Sequence, residues 1–174
     1  MNKISRLVIL LIVLAVGVTG YFVVEAQSNQ GKFKSMSHVG AYSNLFKEYE
    51  SVYLGKNIKW TGSDFPVIQN VKIIKSDGSE FENNEEISID LFIDEKRKTN
   101  VIYSVNEESK AIIDGYHSVE EYQLNKENVK LVMKITLHDP GYDYDLRGFE
   151  INYEVKGKEK SQLLDLDNFI FYAQ

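Results

Sequence analysis

Five stretches of this chain alternate apolar and polar residues with a period of two, and this repeat restricts the fold more than any other feature. Ile87, Ile89, Leu91 and Ile93 alternate with Ser88 and Asp90. Val129, Leu131, Met133, Ile135 and Leu137 alternate with Lys130, Lys134 and Thr136. Phe149, Ile151, Tyr153 and Val155 alternate with Glu150, Asn152 and Glu154. Shorter sets run through Val71 and Ile73 and through Val101, Tyr103 and Val105. Successive side chains of a strand point to opposite faces, so each run predicts a strand with one face in a core and one in water. Weaker strand candidates lie at Ala111–Tyr116, Tyr122–Leu124 and Gln162–Leu166. Turn residues punctuate the runs at Asp77-Gly78, Asn83-Asn84, Asn125–Asn128, Pro140-Gly141 and Gly157. Seven to nine short strands with no convincing helix between them predict an all-β, antiparallel sandwich over 58–174.

The N-terminus follows a different pattern. Lys3 and Arg6 precede 18 uncharged, mostly apolar residues, Leu7 to Val24. As a helix this run spans roughly 27 Å, close to the thickness of a bilayer core. Residues 1–26 therefore read as a membrane anchor, with a cleaved secretory signal as the alternative because Val24-Glu25-Ala26 resembles a cleavage site. The basic flank predicts a cytoplasmic N-terminus and an extracellular C-terminal domain. Residues 27–57 read as a polar stalk followed by a short amphipathic helix. In that helix Val39, Tyr42, Leu45, Phe46, Tyr49 and Tyr53 recur at three- and four-residue steps before Gly55.

Charge and composition remove several functional classes. The chain carries a net −6, and the anchor segment holds two basic residues against one acidic, so the exported part is more acidic still. Such a surface repels phosphate backbones, and no nucleic-acid partner is expected. There is no cysteine, hence no disulfide, thiolate metal site or thiol nucleophile. The Lys-, Asn-, Ile- and Glu-rich usage points to a bacterial envelope protein.

The spacing of Asp145, Phe149 and Ile151 resembles the start of strand F in immunoglobulin-like sandwiches, with Leu91 and Tyr103 standing as a strand B and strand C core pair. Fibronectin type III-like domains match equally well. The chain departs from the pattern in having Phe149 where a corner tyrosine is usual, Ile151 and Leu91 where cysteines often stand, and its one tryptophan, Trp60, ahead of the first expected strand. The resemblance implies a fold and no particular activity.

Candidate chemistry is sparse. Asp143, Asp145, Gly148 and Glu154 match positions 1, 3, 6 and 12 of a calcium-binding EF-hand loop. However, Arg147 occupies position 5, and the alternation from Phe149 onward makes Glu154 a strand residue. What remains is an acidic loop of Asp139, Asp143 and Asp145, a candidate calcium site, with Asp77, Glu80, Glu82, Glu85 and Glu86 as a second acidic cluster. His117 and His138 with an acid offer a zinc alternative, and His38 is the third histidine. No nucleophile elbow, phosphate loop or dinucleotide motif occurs, so no further cofactor is expected. The reading is a non-catalytic binding or assembly module of the cell envelope, with a protein or envelope polymer as partner. The alternatives are an accessory subunit of an envelope machine, docking through its transmembrane and juxtamembrane helices, and a hydrolase without a recognisable motif.

Overall fold

The structure, a computed structural model, describes residues 31–171. The predicted anchor lies outside the described residues, among which no helix is long and apolar enough to cross a membrane. In chain order the elements are β1 (Phe33–Ser35), β2 (Ala41–Tyr42), α1 (Ser43–Glu48), β3 (Val52–Trp60), β4 (Val67–Lys75), β5 (Ile87–Asp94) and β6 (Val101–Ile102). They continue with α2 (Glu107–Ile113), β7 (His117–Ser118), β8 (Tyr122–Gln123), β9 (Asn128–Leu137), β10 (Leu146–Val155), β11 (Lys158–Asp165) and β12 (Ile170–Phe171).

Two antiparallel sheets form the sandwich. One runs β1-β3-β9-β5-β7, with β6 also on β3, and the other runs β11-β10-β4-β8. When β1, β3, β4, β5, β9, β10 and β11 are lettered A to G, the orders become A-B-E-D and G-F-C, the constant-type immunoglobulin arrangement. The predicted all-β sandwich is thus observed, and β10 is strand F, as the Asp145–Phe149–Ile151 spacing implied. The B and C assignment was misplaced. Leu91 lies on β5 in the D position, and Tyr103 follows β6 and is largely exposed. Strands B and C are β3 and β4, and Trp60 ends β3 with its ring buried in the core.

One apolar core joins the inner faces. Val129, Leu131, Met133 and Ile135 of β9 meet Phe149, Ile151 and Tyr153 of β10, with Ile87, Ile89 and Ile93 of β5 beside them. At one end Phe33, Trp60 and Tyr153 close the joint between the sheets, with ring centroids 5.0, 5.3 and 5.4 Å apart. Tilted and edge-on aromatic pairs of this kind contribute about 0.5–1.5 kcal/mol each beyond their buried area. The β10–β11 hairpin turns through Lys156 and Gly157, both at positive φ (53° and 69°), the two-residue turn whose twist suits paired strands.

The segment before residue 58 differs from its reading as stalk and helix. Phe33 already pairs with Trp60, and the helix is only Ser43–Glu48. Tyr49 and Tyr53 fall at helical spacing from Phe46, but Val52 begins a nine-residue strand, because β3 can hydrogen-bond along nearly its whole length to β9. Ala111–Ile113, read as part of a strand, belong to α2. That helix is started by a capping box in which the Asn106 side chain accepts from the Ser109 N–H at 2.9 Å, and the Ser109 hydroxyl accepts from the Asn106 N–H at 2.8 Å.

The connection between β5 and β9 straps the outer face of the first sheet. From Asp94 it crosses β9 and β3, pairs as β6 on the far edge of β3, and returns through α2 to pair as β7 on β5. Tyr116 covers the row formed by Gly55, Val132 and Phe92, with ring contacts to Tyr53 and Phe92. Val132 is therefore fully buried although it points away from the main core. The strap can lie this close because residue 55 is glycine. A Cβ there would stand 2.3 Å from the Thr99 carbonyl oxygen, an impossible approach. Gly55→Ala is expected to lift the strap and cost about 1–3 kcal/mol of stability in denaturant unfolding. An unchanged midpoint would show that the strap does not seat on β3.

Candidate functional site

Where β1 ends, it splays from β11 and leaves a cleft of about 570 Å³. Ser35, Met36, Ser37 and His38 form one wall; Leu163, Leu164, Asp165 and Asp167 form the other. The local sequence explains the opening. The backbone of Lys34 in β1 and of Met36 just beyond it faces β3, and the Met36 N–H donates to the Asn57 carbonyl at 2.9 Å. Alternation then turns the backbone of 33 and 35 toward β11. At Phe33 the gap is bridged by one side chain: Phe33 N–H donates to Gln162 Oε1 at 2.8 Å, and Gln162 Nε2 donates to the Phe33 carbonyl at 2.6 Å. Beyond that clamp the two edges separate. Ser37 ends the β1–β3 ladder by accepting at its hydroxyl from Asn57 N–H and Nδ2, at 3.0 and 3.2 Å.

Lys56 lies beneath this cleft and belongs to the inner face of β3. Val52, Leu54, Lys56, Ile58 and Trp60 all point into the sandwich, and Lys56 is 1% exposed. Its stem packs as an apolar side chain while its ammonium reaches the rim. There Nζ donates to the Ser37 carbonyl at 3.1 Å and lies 3.8 Å from Asp167 Oδ2. The same carboxylate oxygen is 2.5 Å from His38 Nδ1. Burial lowers the Lys56 pKa, and Asp167 and Asp165 offset part of that effect. Exposed Met36 and Leu163 add apolar surface on the two walls. The cleft therefore offers an imidazole and two carboxylates beside apolar contacts, with the Lys56 ammonium buried beneath it.

The three aspartates of the candidate calcium loop are arranged separately. Asp145 is turned back to the sheet, with Oδ2 2.7 Å from Lys75 Nζ and Oδ1 accepting from the Tyr142 hydroxyl at 2.7 Å. Burial acts to raise its pKa, but the hydrogen bonds from Lys75 and Tyr142 outweigh it and hold the carboxyl below its ordinary value. Asp139 closes its own turn by accepting from the Gly141 N–H at 2.7 Å. Asp143 is exposed and is not drawn into either arrangement. In the second cluster, Asp77 accepts from Ser79 N–H and Oγ, and Glu80 is 2.6 Å from Lys72 Nζ. Among the described residues no group of three or more His, Asp or Glu side chains is arranged to hold a metal. Glu154 lies on β10, so the EF-hand frame does not form.

The histidines are dispersed. His117 pairs with Ile93 at one end of β5, and His138 follows Leu137, the partner of Ile87 at the other end. Six residues of strand separate them by roughly 20 Å, so they do not share a zinc ion. His138 Nε2 instead meets Ser88 Oγ at 3.0 Å. The residues of the cleft were missed, although Lys56 carries a readable signal: it is a lysine in the apolar phase of Val52-Leu54-Lys56-Ile58-Trp60.

Lys56→Met removes a buried charge while keeping its volume, and is expected to raise stability by about 1–2 kcal/mol near neutral pH. Because the folded-state pKa of Lys56 is depressed, the unfolded chain binds the extra proton between that value and the ordinary lysine pKa of about 10.4. Wild-type stability from this group therefore rises with pH in that window. The advantage of the variant should narrow as pH rises, read from paired denaturant curves. A gap that widens with pH would contradict the burial of the ammonium. No protein family, curated protein or solved structure matches the chain.

Proposed function

We propose that the chain is a membrane-anchored, extracytoplasmic binding or assembly module of the bacterial cell envelope. The observation that carries this reading is the cleft between β1 and β11, which pairs exposed apolar side chains with a small set of charged groups. The anchor part of the proposal rests on Lys3, Arg6 and the apolar run Leu7 to Val24. The domain supports a contact role in its layout. The chain enters beside Trp60, where Lys32 and Thr61 exchange hydrogen bonds. Loops 36–51, 76–86 and 138–145 gather at the opposite end, and the cleft opens toward them. The aromatic residues of 38–54 do not supply a free amphipathic helix for docking, since Phe46 is buried and Val52 and Leu54 are core residues. A partner that is a protein or envelope polymer is thus met through the sandwich itself, without catalysis.

Photo-crosslinking in cells tests this. A photoreactive side chain at Met36 or Leu163 of the full-length protein is expected to trap a discrete adduct, while one at exposed Glu159, outside the cleft, is not. Equal capture at all three positions, or none, would overturn the proposed surface. External protease should digest the domain on protoplasts, and full protection would overturn the topology. A trapped integral membrane protein would favour the accessory-subunit alternative.

A further inference from the structure

We propose that Lys130 and Asn100 become joined by a side-chain amide bond, formed with loss of ammonia. The two reacting groups meet under the strap. Lys130 lies on the outer face of β9 and is 4% exposed. Its Nζ donates to Asn100 Oδ1 at 2.6 Å and to the Thr99 carbonyl. An amine held against the oxygen of a carboxamide is also next to its carbonyl carbon, and the fold holds the two side chains in contact before any reaction. Asp94 is the cross-strand partner of Lys130 in the β5–β9 register and is 2% exposed.

The arrangement is unusual for a plain ion pair. Asp94 and Lys130 are both buried, yet the Thr99–Asn100 segment stands between them. Asp94 Oδ2 accepts from Thr99 N–H and Oγ1, each at 2.8 Å. Thr99 Oγ1 also meets the Tyr116 hydroxyl at 2.7 Å. Burial lowers the Lys130 pKa, which favours the neutral, nucleophilic amine, while Asp94 acts in the opposite sense. Asn100 itself is exposed, so departing ammonia has a path to solvent.

The step balances without an oxidant or co-reactant. The Nζ lone pair attacks Asn100 Cγ, the Nζ–Cγ bond forms and the Cγ–Nδ2 bond breaks. One proton moves from Nζ to the leaving Nδ2 at exposed Asn100, and ammonia departs. The product ties the strap to the central strand of its sheet across 30 positions of chain.

Intact mass spectrometry of the denatured full-length protein is the test, followed by proteolysis. The expected result is a mass lower by one ammonia than the sequence requires, together with a branched peptide joining the segments that contain Asn100 and Lys130. Lys130→Arg and Asn100→Ala should each restore the full mass of their own sequence. Because mass is read on denatured chains, a variant that folds poorly still gives an answer, and the wild type alone decides the main point. A wild-type mass equal to the unmodified sequence overturns the proposal. So does loss of ammonia without a branched peptide, the signature of a succinimide or of cyclised glutamine.

Discussion

Burial of the stretch Val129–Met133 of β9 on both faces is the constraint from which most of the architecture follows. Its inner side chains, Val129, Leu131, Met133 and Ile135, fill the sandwich core. Its outer face carries Lys130 and Val132, which are also buried. An antiparallel sheet ordinarily leaves one face to water. Here the outer face is covered by the long excursion between β5 and β9, and the covering segment needs a flat place to cross. Gly55 supplies it, and Thr99, Tyr116 and the stem of Lys130 fill the space around it. Ladder bonds to β3 on one side and β5 on the other fix β9 in register, so the strap and the core are referred to the same strand.

The two buried lysines show how the fold accommodates charge. Lys56 and Lys130 sit on neighbouring strands of the same sheet but on opposite faces, one under the cleft and one under the strap. In each case the stem packs as hydrocarbon and the ammonium emerges beside a backbone carbonyl, of Ser37 or of Thr99. A buried charge costs several kcal/mol unless hydrogen bonds replace its water. The local backbone is bent to provide them, at the end of β1 and at the entry to β6. The acidic loops behave in the opposite way: Asp77 and Asp139 close turns, while Glu80 and Asp145 pair with lysines near the surface.

Legibility from the sequence followed how local each signal was. The β5, β9 and β10 runs were readable because their inner residues are uniformly apolar and their outer ones polar. From them the antiparallel sandwich and the strand F position of Asp145, Phe149 and Ile151 followed. β3 was hidden, since Gly55 and Lys56 interrupt its alternation and its first residues happen to continue a helical spacing from Tyr42 and Phe46. Both interruptions have long-range causes: Gly55 answers to the strap and Lys56 to the cleft. The cleft was invisible for the same reason, because His38, Lys56 and Asp167 are brought together only by the meeting of β1, β3 and β11. In the acidic loop, adjacency in sequence puts three aspartates together, while the fold gives Asp145 to Lys75 and Tyr142.

The central claim, that Val129–Met133 of β9 is enclosed on both faces, is tested most directly by amide hydrogen exchange resolved along the chain. The account predicts that β9 amides exchange slowest of all, with the strap residues around Thr99 also protected, and that β11 on the sheet edge exchanges faster. Exchange in β9 as fast as in β11, with the Thr99 amide unprotected, would contradict it.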